Sequence, residues 1–270
     1  MVDLHSHVLP DLDDGPVNLD FSVALAQAAV DAGTEVIVAT PHIRADHHVD
    51  PREIPARVDE LNVTLWDRRI PLRVTAGGEL SLAKARELDD DVLRALCLGK
   101  GRHLLIESPY GHMDGELEAT LSELQARGFP PLLAHPERSE AFHGRPDRLA
   151  ELVAQGVLAS ITAGSMAGRF GQTVRRFTLT LFEQGLVHDV ASDAHNHLER
   201  PPSLTVGFEA AEGEIPGIAA QAAWYTRDAP SAILLGRRLP PRPEPPRRRS
   251  RRVLPWMRSL HRFGRGRAAE

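Results

Sequence analysis

The sequence predicts an α/β domain built as a TIM-like, closed or nearly closed parallel barrel of seven strands with helices between them, on two observations. Strand-like and helix-like segments alternate from residue 1 to about residue 225, the order of a parallel α/β fold. An acidic or histidine residue also closes every strand but the sixth. A parallel barrel gathers the carboxyl ends of its strands at one mouth, where catalytic groups collect. An open doubly wound sheet draws function from the few strands around one switch point. Candidate groups on nearly every strand therefore favour the barrel.

Taken in order, the first strand (roughly 1–7) ends in His5 and His7, with Asp14 following in Asp13-Asp14-Gly15. The second (roughly 35–42) runs Glu35-Val36-Ile37-Val38-Ala39-Thr40-Pro41 and closes on His42. The third (roughly 72–79) closes on Glu79 and the fourth (roughly 103–108) on Glu107. The fifth (roughly 131–136) closes on His135, the sixth lies at roughly 157–163, and the seventh (roughly 187–193) brings Asp193 and His195. Helices fall between them at roughly 19–33, 52–68, 82–97, 116–128, 146–155 and 172–185. Asn18 is placed to cap the first helix and Gly33 to stop it, as side-chain oxygens and left-handed glycines do at helix ends. Gly128, Gly156 and Gly185 fall at three later helix ends. The Gly77-Gly78 pair reads as allowing a close backbone approach beside the site.

Composition narrows the class. With 42% hydrophobic and 26% charged residues in 270, the chain is an ordinary globular protein with a full core. No apolar run approaches the ~20 residues of a membrane span, and no apolar signal segment precedes the first strand. The single cysteine, Cys97, excludes an intramolecular disulfide and fits a reducing cytoplasm. Residues 237–270 hold 12 arginines against Glu244 and Glu270, a charge of +10 that leaves −15 on residues 1–236 within the net −5. So acidic a body argues against a nucleic-acid platform, and a bound metal cluster would offset part of its charge.

Two domains of composition follow: a folded unit over 1–236, and a Pro/Arg-rich tail over 237–270 expected to lie outside it, disordered or partly helical. Leu239 to Pro246 should be extended and stiff. Five arginines lie between Arg247 and Arg252, ahead of Trp256, Met257, Leu260 and Phe263. That combination suits either a solubilising appendage or peripheral contact with an anionic membrane face.

The strand-end residues form a chemical set. His5-Ser6-His7 points two imidazoles the same way, because side chains alternate along a strand, and two such rings can chelate one divalent ion. Glu79 and Glu107 end apolar strands, where unpaired carboxylates are costly. Together with Asp14, His42, His135, Asp193 and His195 they make nine oxygen and nitrogen donors, a multinuclear metal site suited to hydrolysis by an activated water. Arg138, three residues past His135, has the planar fork that grips phosphoryl oxygens, and Arg200 lies five positions past His195. Cys97 lacks the preceding histidine and the arginine spacing of thiol-dependent phosphatases and lies near the end of an apolar helix, so it reads as a packed core residue.

The chain resembles the PHP (polymerase and histidinol phosphatase) superfamily, and within it the bacterial capsule- and exopolysaccharide-associated protein-tyrosine phosphatases. The resemblance rests on Asp3-Leu4-His5-Ser6-His7, Asp13-Asp14-Gly15-Pro16, Ala39-Thr40-Pro41-His42, Gly78-Glu79-Leu80, Leu105-Ile106-Glu107, Ala134-His135-Pro136-Glu137-Arg138, Ile161-Thr162-Ala163-Gly164-Ser165 and Ala191-Ser192-Asp193-Ala194-His195-Asn196. It implies a distorted (β/α)7 barrel, the PHP fold, holding three divalent ions, manganese first, with zinc, iron or magnesium as alternatives. By resemblance His5, His7, Glu79 and Asp193 hold one ion, and Glu79 bridges to a second completed by Glu107 and His135. Asp14, His42 and His195 take the third. Asp14 stands where several branches carry histidine, which favours the tyrosine phosphatase branch. Ile43 stands where the family often has a second histidine, at a position outside the nine ligands.

The implied reaction is metal-dependent hydrolysis of phosphotyrosine without a covalent intermediate, with Arg138 and Arg200 on the transferring phosphoryl group. Asp14, a histidine or water would protonate the leaving group. The implied partner is a phosphotyrosine-bearing bacterial tyrosine kinase controlling polysaccharide export. Two other readings use the same residues. One is a small-molecule phosphomonoesterase of the histidinol phosphatase type, or a phosphodiesterase; the other is a metal-bearing regulatory module that binds without hydrolysing.

Overall fold

The structure, a computed structural model, describes residues 1–111 and 115–248. Its strands are β1 (Val2–Ser6), β2 (Val36–Ala39), β3 (His42–Ile43), β4 (Arg73–Ala76), β5 (Glu79–Leu80), β6 (Leu104–Glu107), β7 (Pro131–Ala134), β8 (Leu158–Thr162) and β9 (Asp189–Ala191). All pair in parallel, in the orders β1-β2-β4 and β3-β5-β6-β7-β8-β9. These fall within the seven expected strand regions, two of which are broken. The second is interrupted at Thr40 and Pro41, where proline has no N–H for the ladder. The third is interrupted at Gly77-Gly78. The two sheets therefore continue one another: β2 and β4 carry the start of these regions and β3 and β5 their ends. The first and last strands also meet. Ser6 bridges Ala194 in parallel, His7 N donates to the Ala194 carbonyl at 2.8 Å, and Asp193 N donates to the His5 carbonyl at 2.9 Å.

The helices are α1 (Leu19–Asp31), α2 (Ile54–Asp67), α3 (Leu82–Glu87), α4 (Asp90–Ala95), α5 (Glu116–Ala126), α6 (Glu140–His143), α7 (Pro146–Ala154), α8 (Ala163–Ala167), α9 (Gly171–Glu183), α10 (Thr205–Ala211) and α11 (Ala229–Leu234). None is long and apolar enough to cross a membrane. Asn18 caps α1 by accepting from Phe21 N at 3.1 Å, and Gly33 leaves it with φ +86°, as expected.

Three expectations give way. The helix expected at 82–97 is two helices. Leu88 turns extended, and Asp89 accepts from Val92 N at 2.9 Å to cap α4, because a short carboxylate stabilises a helix start better than a helix interior. The Gly77-Gly78 pair serves packing rather than an approach to the site. A Cβ on Gly77 would meet Val38 Cγ1 at 2.8 Å, and one on Gly78 would meet Leu96 Cδ2 at 2.6 Å.

The tail expected to begin at residue 237 stays on the body as far as residue 248. Leu239 packs against the core, and the Arg242 guanidinium sits 5.8 Å over the Trp224 ring. Gln221 Nε2 donates to the Glu244 carbonyl at 3.1 Å, and Arg248 pairs with Glu183 at 3.2 Å. These contacts hold the proline-rich segment against the body. Trp256, Met257, Leu260 and Phe263 lie outside the described residues.

The buried apolar residues form two clusters. Leu105, Leu132 and Ala134 lie on neighbouring strands and pack with Leu4 and Val38 in one of them. In the larger cluster, helix residues such as Leu25, Leu61, Leu121, Leu152 and Leu181 join strand residues such as Ile37, Leu104 and Leu133. Cys97 is buried, and burial pushes its thiol up to about 11. It is a packed residue, as expected, far from a nucleophile's thiolate.

Candidate active site and metal centre

The carboxyl ends of the strands and the turns beyond them bring all nine sequence-selected donors together. They lie in four overlapping groups: His7, Asp14, His42 and His195; His5, His7 and Asp193; His5, Glu79 and His135; His42, Glu79 and Glu107. Glu79 is at the centre. Its Oε2 lies 3.2 Å from His5 Nε2, 3.5 Å from His7 Nε2 and 3.0 Å from His42 Nδ1, and its Oε1 lies 2.8 Å from His135 Nε2. Asp193 Oδ1 adds contacts of 3.4 Å and 3.5 Å to His5 and His7 Nε2. Asp14 Oδ1 stands 3.2 Å from His195 Nε2 and 3.6 Å from His42 Nε2.

The donor set fits divalent ions. Glu79 Oε2 and His42 Nδ1 are buried without a hydrogen-bond partner although they stand 3.0 Å apart. Atoms bound at about 2.1 Å to one ion are held roughly 3.0–3.4 Å from each other in octahedral or tetrahedral arrangements. Side chains crowded at that spacing without hydrogen-bond geometry are arranged for a shared cation.

Backbone strain points to the same place. Among the described residues, Asp193 (φ +52°) and His135 (φ +36°) are two of the four non-glycine residues with positive φ. Conformations of this kind are costly and persist mainly where function holds them.

The charge states follow from burial and neighbours. Burial pushes the Glu79 carboxyl up, but His5, His135 and His42 outweigh it and hold the group well below the usual carboxylate range. Asp193 behaves alike, with His5 and Arg138 overcoming the burial penalty. Burial and the charge of Arg138 push His135 down to about 4, leaving a neutral imidazole, the form that binds a metal. Burial and the proximity of Glu79 raise Glu107. Burial alone would raise Asp14, yet His195 and its neighbours pull it well down. It is a carboxylate suited to binding a cation rather than giving up a proton.

The arginines meet the cluster at one residue. Arg138 and Arg200 each place an Nη2 2.7 Å from Asp193 Oδ2. Arg138 does not pair with its neighbour Glu137, whose Oε1 instead accepts from Ser165 Oγ at 2.6 Å and Thr162 N at 3.0 Å. Phe170 backs the Arg138 guanidinium at 4.8 Å.

Three site residues were not anticipated. Asp13 Oδ2 accepts from His7 Nδ1 at 2.6 Å and from His42 N at 2.9 Å. Burial would raise this carboxyl, but His7 pulls it to about 2, fixing a tautomer in which His7 Nε2 faces the cluster. The adjacent aspartates were visible in sequence, with nothing to say which one turned inward. Arg44 donates to Glu107 Oε1 at 3.0 Å, and Tyr110 stacks near His135. Both occupy loops just beyond strand ends, where position rather than residue type is the signal. Asp14, Arg44, Tyr110, Arg138 and Arg200 open onto a cleft of about 150 Å³.

Carboxylates that hold a metal-ligating imidazole typically contribute 10- to 100-fold in metal affinity. Asp13→Asn should therefore raise the Mn²⁺ concentration giving half-maximal turnover by about that factor while leaving turnover at saturating Mn²⁺ within a few-fold. A metal titration with no shift would remove Asp13 from this role.

The capsular polysaccharide synthesis family CpsB/CapC matches residues 1–221, which include every donor and both arginines. The chain belongs to this family. It is 39% identical over 197 residues to tyrosine-protein phosphatase YwqE of Bacillus subtilis, covering 73% of this chain and 78% of that one. It is 28% identical over 215 residues to tyrosine-protein phosphatase CpsB of Streptococcus agalactiae, covering 77% and 88%. Among solved structures, one from the study of B. subtilis YwqE and S. pneumoniae CpsB, described there as unique metal-dependent tyrosine phosphatases, superposes with a TM-score of 0.79 at 33% identity. That match covers 92% of this chain and all of the other. For this CpsB/CapC member, the match places the sequence motifs on the same overall fold.

Proposed function

We propose that the chain is a metal-dependent protein-tyrosine phosphatase. The carrying observation is Asp193, which turns one oxygen to the histidine cluster and the other to two guanidiniums. A phosphoryl group entering the cleft would meet cations on one side and Arg138 with Arg200 on the other. The relatives of the same family are named as phosphatases of this specificity. The meeting of the first and last strands supports a closed, distorted (β/α)7 barrel as the frame.

His5, His7, Glu79 and Asp193 would hold one ion. Glu79, Glu107 and His135 would hold a second, and Asp14, His42 and His195 a third, with Mn²⁺ the proposed occupant. Such ions lower the pKa of a bound water and offset charge on phosphate oxygens. The protein's own groups do the rest. Glu79 and Asp193, held ionised, keep the histidine nitrogens converged. Arg138, anchored by Asp193 and Phe170, presents a fixed fork to the equatorial oxygens. Arg200, less buried, closes on the same oxygens from the solvent side. A phosphotyrosine in a flexible tail reaches such a recess easily, so a bacterial tyrosine kinase in the cytoplasm is the proposed partner.

Protein dialysed against chelator should lose turnover of a phosphotyrosine peptide and regain it on adding Mn²⁺. Rates on histidinol phosphate and on a bis-aryl phosphate should remain well below it. Failure to hydrolyse the phosphotyrosine peptide with Mn²⁺, Mg²⁺ or Zn²⁺ would overturn the proposal.

A further inference from the structure

We propose that Tyr110 is the residue that selects an aryl over an alkyl phosphate, by offering its ring face to the ring of the bound phosphoester. The inference rests on the phosphatase reading of the site and adds the element of it that recognises the organic part of the substrate.

The other described residues lining the cleft, among them His42, Glu107, Arg138 and Arg200, are acids, imidazoles and guanidiniums. They suit a phosphoryl group and its counter-ions. Among the described residues of the lining, Tyr110 alone carries a large apolar face. It is 53% exposed although it borders a cluster that is almost wholly buried, so part of its ring faces the space a substrate enters. Its ring lies 6.1 Å from that of His135 with an interplanar angle of 25°, which sets the tyrosine ring nearly parallel to an imidazole at the floor of the site.

The backbone leading into Tyr110 is anchored at two points. Ser108 Oγ donates to the Ala134 carbonyl, and Ser139 Oγ donates to the Pro109 carbonyl. The two residues before Tyr110 are thus tied to the end of β7 and to the turn carrying His135 and Arg138. An anchored backbone at this point reduces the ordering that stacking of a ligand on Tyr110 would require.

Substrate geometry supplies the rest. In an aryl phosphate the ring begins one ester oxygen beyond phosphorus, so a phosphoryl group held at Arg138 and Arg200 projects the ring outward along the cleft wall. Offset stacking of two aromatic rings contributes enough to change affinity roughly 2- to 10-fold. An alkyl phosphate gains little from the same wall.

The test is calorimetric binding of benzylphosphonate and ethylphosphonate to Mn²⁺-loaded full-length protein; a methylene stands in each for the ester oxygen, and neither can be hydrolysed. The wild type should bind benzylphosphonate more tightly. Tyr110→Ala should weaken benzylphosphonate about fivefold or more while weakening ethylphosphonate less than twofold, and Tyr110→Phe should restore the difference. Manganese content should match the wild type in both variants. Equal losses on the two ligands, or a wild type without aryl preference, would overturn the proposal, as would a fall in bound manganese in Tyr110→Ala that reveals action through His135. Because binding is read without turnover, absence of phosphotyrosine hydrolysis would count against the phosphatase reading separately.

Discussion

Asp193→Asn should lower kcat/KM on a phosphotyrosine peptide by about 10³-fold or more at saturating Mn²⁺, with the fold retained. The substitution is nearly isosteric, and asparagine tolerates the positive φ of 52° that this position requires. Two functions are lost together. The oxygen facing His5 and His7 no longer carries the charge that helps balance bound cations. The opposite atom, when it is the amide nitrogen, meets the guanidiniums of Arg138 and Arg200 as a donor facing donors. Losing one preorganised electrostatic contact to a transition state typically costs 10²–10³-fold, and here the metal side is weakened as well. Circular dichroism and thermal unfolding would establish that the variant is folded, and steady-state kinetics would read the loss. Turnover within tenfold of the wild type would contradict the role given to Asp193.

Arg138→Ala should cost roughly 10²–10³-fold in kcat without a matching loss of metal. Arg138 is 9% exposed, ion-paired to Asp193 and backed by Phe170, and its Nε finds no hydrogen-bond partner. Such a cation is placed for an anion still to arrive. Removing it leaves Asp193 paired with Arg200, so the metal-binding face should persist. Arg138→Lys should recover little, since a point charge cannot reproduce a planar two-pronged grip. Kinetics and elemental analysis on the same preparations separate the two arginine functions. A fall in metal content equal to the fall in rate would assign Arg138 to the metal centre instead of the phosphoryl group.

The donors were legible in sequence because each lies at or just beyond a strand end, and strand ends are marked locally by apolar runs that stop at a polar residue. His5, His42, Glu79, Glu107, His135 and Asp193 all announce themselves this way. Asp13 did not, because which of two adjacent aspartates turns inward depends on the loop through Gly15. A Cβ at Gly15 would meet the His7 carbonyl at 2.4 Å. Arg44 and Tyr110 were missed for a related reason: their partners, Glu107 and His135, are far away in sequence.

Among the elements, α8 and α10 were too short to show a helical period, and the Trp224–Asp228 π-helical turn has no local signature. The split between α3 and α4 was readable afterwards in the capping position of Asp89. Composition marked off the segment after Leu239, but contacts such as Arg248 with Glu183 join residues too distant in sequence for composition to reveal.

Elemental analysis of the purified full-length protein after loading with Mn²⁺ and desalting tests the central claim most directly. The account predicts about three divalent ions per chain, falling in Asp193→Asn and His135→Ala and preserved in Arg138→Ala. Less than one ion per chain in the wild type, or a content indifferent to His135 and Asp193, would contradict it.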